Sequence, residues 1–490
     1  MDIKRTTVTT DTYFTRLSSE ARIESAVPAP DGRPVGKILG CNAKVRVTSS
    51  TASERGVDVV GTITVSVLAL DRQDVPFGFD AEADFSHRVP CPVSVSGLEP
   101  IVTAQITECA MRSDDGGLRL SGSVLINVAV LKHDELSCVC DLSGERGLEL
   151  EFASVSSARR ALKAVKSIKL REELELDEAV TLVSGSGRIK EIKLSPTGTG
   201  YDAVGKVELR CLVLFGDGAL SERSFELSFE SEIEGDPVSN PIVDAELTRL
   251  DVRMYSGGSG LVEAEALICI TVYSVQSETA TILSDGYDAE GTFSCQKESG
   301  SYLDYLGRES IRQEIRYPLE VPSYLPELSA PVSLCCNPAV THAACENGVA
   351  TVEGLIMATV VYRGDNGSLS SFTEDVPFSV SIDCADCAYI LPRIEVCCHK
   401  ISGSGRALEF RSELSLCADI YALRSFTYTK SLERGSEVDA HEGILIYFTD
   451  ADETLFSIGK RFGMSKRGIL ELNPDLTEPL SSGKQVILFR

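Results

Sequence analysis

Gly61-Thr62-Ile63-Thr64-Val65-Ser66-Val67 sets a small or polar residue against an aliphatic one at every second position, and this stretch decides the fold. Period two puts Ile63, Val65 and Val67 on one face of a strand and leaves the other face to solvent. The pattern returns after Gly205, where Val207, Leu209 and Cys211 share a face, and after Gly354, where Ile356, Ala358 and Val360 do. The three glycines lie 144 and then 149 residues apart. A glycine-led strand recurring at so constant an interval marks three long repeats.

Working outward, a second β-rich run recurs at Leu118 to Val130, Leu261 to Tyr273 and Leu408 to Tyr421. Each follows turn chemistry: Asp114-Asp115-Gly116-Gly117, Ser256-Gly257-Gly258-Ser259-Gly260 and Ser402-Gly403-Ser404-Gly405. Turn residues before a β run are the punctuation of an antiparallel meander. Pro100-Ile101-Val102 and Pro241-Ile242-Val243 also match, 141 residues apart. A third recurrence leads into each unit at Glu20 to Glu24, Glu172 to Leu176 and Pro318 to Pro322, followed by alternating segments Lys37 to Val47, Gly187 to Leu194 and Val332 to Val340. Ala158 to Lys166 has some helical character, but its counterpart before Ser310 does not, so it is read as strand. The expectation is a mainly β chain of three tandem β-sandwich-like repeats, 1–155, 156–300 and 301–432, then a linker 433–442 and a small domain 443–490.

Composition fits this division. The 490 residues suggest about three domains at roughly 150 residues each. Lys and Arg number 47 against 73 Asp and Glu, a net charge of −26, which opposes binding to a phosphate backbone and argues against a nucleic-acid partner. Residues 441–490 carry six basic and seven acidic residues, so the acidity resides in the repeats, at 41 against 66. No apolar run approaches the ~20 residues of a transmembrane helix. The start, Met1 to Thr7, reads as no signal peptide, so a cytoplasmic protein is expected. In that compartment the 16 cysteines are expected as thiols, Cys211 and Cys269 among them acting as small hydrophobes within alternating runs.

The last fifty residues change period. After the polar Ser431 to Glu442 comes the run Ile444-Leu445-Ile446-Tyr447-Phe448. Leu455, Ile458 and Phe462 then recur at helical spacing, with Thr454 placed to cap and Gly463 to stop the helix. A second helix fits Lys466 to Leu472 before Asn473-Pro474, and Gln485 to Phe489 closes with a strand. Leu455, Ile458, Phe462, Ile469, Leu472 and Val486 form its expected core. This β-α-α-β tail resembles a LysM domain: Glu453-Thr454-Leu455, Ser457-Ile458, Phe462-Gly463 and Leu472-Asn473-Pro474 fall at the family's spacing. The resemblance implies a groove between the loops Asp450 to Thr454 and Asn473 to Leu480. Its contacts would come from Asp450, Asp452, Glu453, Thr454, Asn473, Pro474 and Asp475. Lys460, Arg461, Lys466 and Arg467 are expected on an exposed helix face as candidates for contact with a partner. LysM domains bind N-acetylglucosamine polymers, and where the family usually has Gly-Asp this chain has Asp452-Glu453.

Three long β repeats followed by one such tail are similar to the SipL-like spore coat morphogenetic proteins of clostridia. That resemblance implies a mother-cell protein at the forespore surface. Its tail would bind the coat morphogenetic ATPase SpoIVA, other coat proteins would be further partners, and the whole would promote coat assembly. The alternative is a carbohydrate-binding protein that recognises peptidoglycan through the tail.

Catalytic signatures are lacking. His87, His133, His342, His399 and His441 are scattered, no phosphate-binding glycine loop occurs, and no carboxylate pair stands out among the 73 acids, so a non-enzymatic protein without cofactor is expected. The rival reading is zinc at Cys384, Cys387, Cys397, Cys398 and His399. Only one tight knuckle is present, however, and adjacent Cys397 and Cys398 on a strand point to opposite faces.

Overall fold

The structure, a computed structural model, describes residues 2–30, 33–114, 117–143, 147–176, 180–255, 260–288, 293–434 and 443–489. Among the expected turns and linker, Asp115, Gly116, Ser256 to Ser259 and residues 435–442 lie outside the described residues.

The chain is mainly β. Strands β1 (Asp2–Val27), β2 (Val35–Ser53), β3 (Gly56–Asp71), β4 (Pro76–Pro90), β5 (Glu99–Asp114) and β6 (Gly117–Ser143) form two antiparallel three-stranded sheets, ordered β1-β6-β5 and β2-β3-β4. The same orders follow for β7 (Leu148–Glu175), β8 (Thr181–Pro196), β9 (Gly200–Leu214), β10 (Leu220–Glu234), β11 (Ile242–Met254) and β12 (Leu261–Asp288). They follow again for β13 (Phe293–Glu320), β14 (Leu328–Glu346), β15 (Val349–Gly364), β16 (Leu369–Asp383), β17 (Tyr389–Ser404) and β18 (Ala407–Arg434). Ala158 to Lys166 lies within β7 as a strand.

In each six-strand unit the two sheets share one core. Ile63, Val65 and Val67 of β3 meet Val124, Ile126 and Val128 of β6, all almost wholly buried. The leading glycines have a packing role. Gly61, Gly205 and Gly354 sit cross-strand from Phe85, Phe229 and Phe378, and each phenyl ring lies where a Cβ would be. The missing side chain thus lets an aromatic ring on the adjacent strand lie flat over the backbone.

Strand length departs from expectation. The runs ending at Val130, Tyr273 and Tyr421 are only the first halves of β6, β12 and β18, of 27, 28 and 28 residues. Their distal halves lose the third strand and pair only with β1, β7 and β13, giving three two-stranded ribbons. The ribbons pack on one another: Val8, Cys138, Val155, Ile282, Tyr302 and Tyr428, one from each of the six strands, bury a common apolar cluster. Tyr302 Oη donates to Ser156 O at 2.7 Å, and Arg5 reaches Lys430 O at 3.0 Å across the ribbon boundaries. Leu39, Leu68, Leu70, Val183, Leu212, Val361 and Leu369 join the units in a second cluster.

Among the described residues no helix is long and apolar enough to cross a membrane. The expectation of thiols fails at one pair, since Cys345 and Cys387 are bonded to each other. Their sulfurs come together because β14 ends at Glu346 beside the loop that follows β16. The remaining cysteines are free; Cys211 is fully buried, and Cys397 is buried and Cys398 exposed at a register shift in β17.

Candidate binding surface

The tail consists of β19 (Ile444–Phe448), α1 (Leu455–Phe462), α2 (Lys466–Leu472) and β20 (Gln485–Phe489), with β19 antiparallel to β20. Its local signals act as the sequence predicts. Thr454 Oγ1 accepts from Ser457 N at 3.1 Å while Ser457 Oγ accepts from Thr454 N at 3.0 Å, a reciprocal cap. Gly463 closes α1 with φ of 65°. Leu455, Ile458, Ile469 and Val486 are buried and Phe462 packs beside them, but Leu472, expected in the core, is 39% exposed. It falls at the last position of a helix that Asn473 closes, turned away from the two strands.

The residues expected to bind divide into three groups. Asn473 and Glu453 hold the module together. Asn473 Nδ2 donates to Ile469 O and Ile487 O, and its Oδ1 accepts from Ile487 N, tying α2 to β20. Glu453 accepts from the Asp450 amide at 2.9 Å and from Tyr447 Oη at 2.7 Å, and pairs with Arg461 at 2.9 Å. Desolvation opposes the charge there, but these donors hold its carboxyl below the usual carboxylate range. Asp452 takes φ of 65°, the left-handed conformation that a glycine would adopt without strain.

Lys460 and Lys466 form the second group, and both are half-buried against the ribbons instead of exposed. Lys460 Nζ contacts both carboxylate oxygens of Asp285, at 2.6 and 2.8 Å, and Lys297 binds the same carboxylate at 2.6 Å. Two ammonium groups override burial and keep Asp285 below its ordinary range. The Lys466 amide donates to Glu149 Oε1 at 3.1 Å, and its ammonium lies 5.1 Å from the Phe456 ring centre. Tyr287 Oη donates to Met464 O at 2.9 Å, and its ring meets Phe456 edge-on at 5.0 Å. Gly459 is required there, because a Cβ would overlap the Tyr287 hydroxyl. Asp450, Asp452, Thr454, Arg461, Arg467, Pro474 and Asp475, the third group, remain exposed.

Sequence reading missed the surface opposite the helices. In the β19–β20 register, Ile444, Ile446 and Phe448 share a face with Phe489 and Ile487. Their exposures are 74, 54, 60, 56 and 38%. Alternate residues Val486 and Leu488 point to the helices and are buried. Five large apolar side chains on one face of a two-stranded sheet form a patch of the kind that marks a macromolecular contact. The signal was present in the sequence: the run Ile444 to Phe448 is apolar on both faces, and a module of this size covers only one.

Among the described residues no group of three or more His, Cys, Asp or Glu side chains is placed to hold a metal ion. His399, a ligand in the zinc reading, is instead 3.3 Å from Arg210. Burial and that guanidinium push His399 down to about 4, leaving the ring neutral at pH 7. Comparison with protein-family models, curated proteins and solved structures gave no match.

Proposed function

We propose that this chain is a non-enzymatic adaptor: three β-sandwich-like repeats form a body that carries a LysM-like tail, and the tail docks a protein partner. The observation that carries this reading is the uncovered apolar face of β19 and β20 on a module whose other side is fixed to the body. A fixed module presents that face in one orientation and loses little freedom on binding, which favours association. Apolar residues at the centre of a contact suit a protein surface.

By the resemblance described above, the partner is the coat morphogenetic ATPase SpoIVA, and the setting is the mother-cell face of the forespore during coat assembly. Further coat proteins would bind the acidic body. Several modules on one chain would then raise avidity at a polymerised surface. In the carbohydrate-binding alternative, the exposed loops Asp450 to Thr454 and Pro474 to Asp475 face peptidoglycan instead.

The experiment is a binding titration of the full chain against purified SpoIVA, beside sedimentation with peptidoglycan. The double substitution Ile446→Asp and Phe448→Asp is expected to weaken SpoIVA binding by roughly a hundredfold, the scale of losing two central anchors. Unchanged SpoIVA affinity, or co-sedimentation with peptidoglycan without SpoIVA binding, overturns the reading.

A further inference from the structure

A cavity of about 770 Å³ lies where the three units meet, lined by residues from all of them. Its principal walls are β2, β8 and β14, together with β5, β11 and β17. These are the second and fifth strands of each unit, and each is a free edge of its own sheet. Strand register shows that corresponding positions face the cavity. Lys44, Arg188 and Asn337 pair with Thr64, Glu208 and Met357, each three residues beyond the leading glycine (64 − 61, 208 − 205, 357 − 354). Gln105, Glu246 and Glu395 pair with Leu125, Cys269 and Ser415. Each of those lies seven residues beyond the first buried residue of its long strand: Leu118, Val262 or Leu408. Two sets of three equivalent positions therefore surround the axis.

The six side chains are not equivalent in chemistry or in satisfaction. Arg188 is committed to Glu208 at 2.7 Å, and Gln105 Oε1 accepts from Val340 N at 2.7 Å. Lys44 Nζ has a carbonyl, Gly187 O at 3.2 Å, and no carboxylate within ion-pair distance among the described residues. Asn337 is 8% exposed and its Nδ2 has no partner. Glu246 and Glu395 have neither a hydrogen bond nor an ion pair among the described residues. Desolvation lowers the Lys44 ammonium and raises the Glu395 carboxyl from their ordinary values, although these two side chains, like Glu246, are exposed to the cavity. Charges that line an enclosed cavity without a direct partner gain more from a ligand's opposite charge than charges at an open surface do. What is missing is a direct carboxylate partner for Lys44 and direct ammonium partners for the two glutamates, which sense Lys44 only at longer range.

We propose that this axial cavity binds a free basic amino acid, its carboxylate held by Lys44 and its ammonium groups by Glu246 and Glu395. The volume lies within the ~300–1,000 Å³ typical of small-ligand sites. Two free carboxylates against one free ammonium favour a ligand of net charge +1 over an acidic or neutral amino acid. The site is independent of the tail and of the proposed adaptor role.

The test titrates L-lysine and L-arginine calorimetrically into the full chain. Saturable one-site binding is expected for at least one of them. Cadaverine, which lacks the carboxylate, and L-norleucine, which lacks the side-chain ammonium, should bind roughly tenfold or more weakly, the scale of one lost charged hydrogen bond. Lys44→Met and the pair Glu246→Gln with Glu395→Gln should each weaken binding by a similar factor. Glu395→Gln removes a partly desolvated charge that has no direct partner, so its unliganded melting temperature should not fall. Absence of saturable binding by both amino acids, or equal binding of cadaverine or L-norleucine, overturns the proposal. So does unchanged affinity in either folded variant. The analogue series uses the unaltered chain and decides the matter even where a variant fails to fold.

Discussion

Replacing Asp285 with Asn should loosen the tail from the body without unfolding either. Asp285 has a side chain only 8% exposed and receives both Lys460, from α1, and Lys297, from β13. Breaking a fully buried ion pair costs ~3–5 kcal/mol. Here Lys460 and Lys297 are 37 and 43% exposed and can turn to water, so the cost falls to about 1–2 kcal/mol. That is roughly a 5- to 30-fold shift toward the undocked tail. The reporter is the Lys466 amide. It is the first residue of α2, where a backbone N–H has no intrahelical acceptor, and its bond to Glu149 exists only when the tail is docked. Its hydrogen exchange should accelerate by that 5- to 30-fold factor, while the Ile469 amide, bonded to Ser465 O inside the module, should not change. Equal acceleration at both amides would mean that the module itself opens, and no change at Lys466 would mean that Asp285 does not hold the tail. The pH dependence has a fixed sign. A carboxyl held below its unfolded value contributes fully above the ordinary Asp range, and the contribution is lost as pH falls through the depressed value. Docking should therefore be constant from pH 5 to 8 and weaken only in stronger acid.

Three further outcomes follow from the packing. Gly205→Val should destabilise by about 1–3 kcal/mol in urea unfolding, because the new side chain must displace the Phe229 ring. Asp419→Ala should cost about 3–5 kcal/mol in the same assay: its 3%-exposed carboxylate receives Arg160, Arg308 and Tyr305, and its removal leaves two guanidinium groups, 17 and 14% exposed, short of a partner. Glu99 and Asp11 raise the His133 imidazole, so its stabilisation is complete below the unfolded value near 6.5 and is lost as pH rises through the folded one. With that side chain half exposed the effect should stay within ~1 kcal/mol, and His133→Gln should remove the corresponding slope in melting temperature against pH.

How much of this was legible in the chain depended on whether the structural constraint was local. The alternation after Gly61, Gly205 and Gly354 reports a strand with one face in a core, and the structure places strands there. Thr454, Ser457 and Gly463 act within one turn of helix, so their roles are written in their spacing. The distal ribbons were less visible. Beyond Val130 the sequence continues Leu131-Lys132-His133-Asp134-Glu135, which has lost alternation because a two-stranded ribbon is covered only where another ribbon lies on it. Lys460 reads as a solvated helix lysine because its partner Asp285 lies 175 residues earlier. The equivalence of Lys44 with Asn337 and of Glu246 with Glu395 is visible only through strand register, which period-two patterning does not supply across units.

The central claim is that the outer face of the tail sheet is where a protein partner binds, and a hydrogen-exchange footprint of the full chain with and without SpoIVA tests it most directly. The account predicts slowed exchange in Ile444–Phe448 and Gln485–Phe489, with little change in the three-stranded sheets. Protection confined to the sheets of the body, with β19 and β20 exchanging as in the free chain, would contradict it.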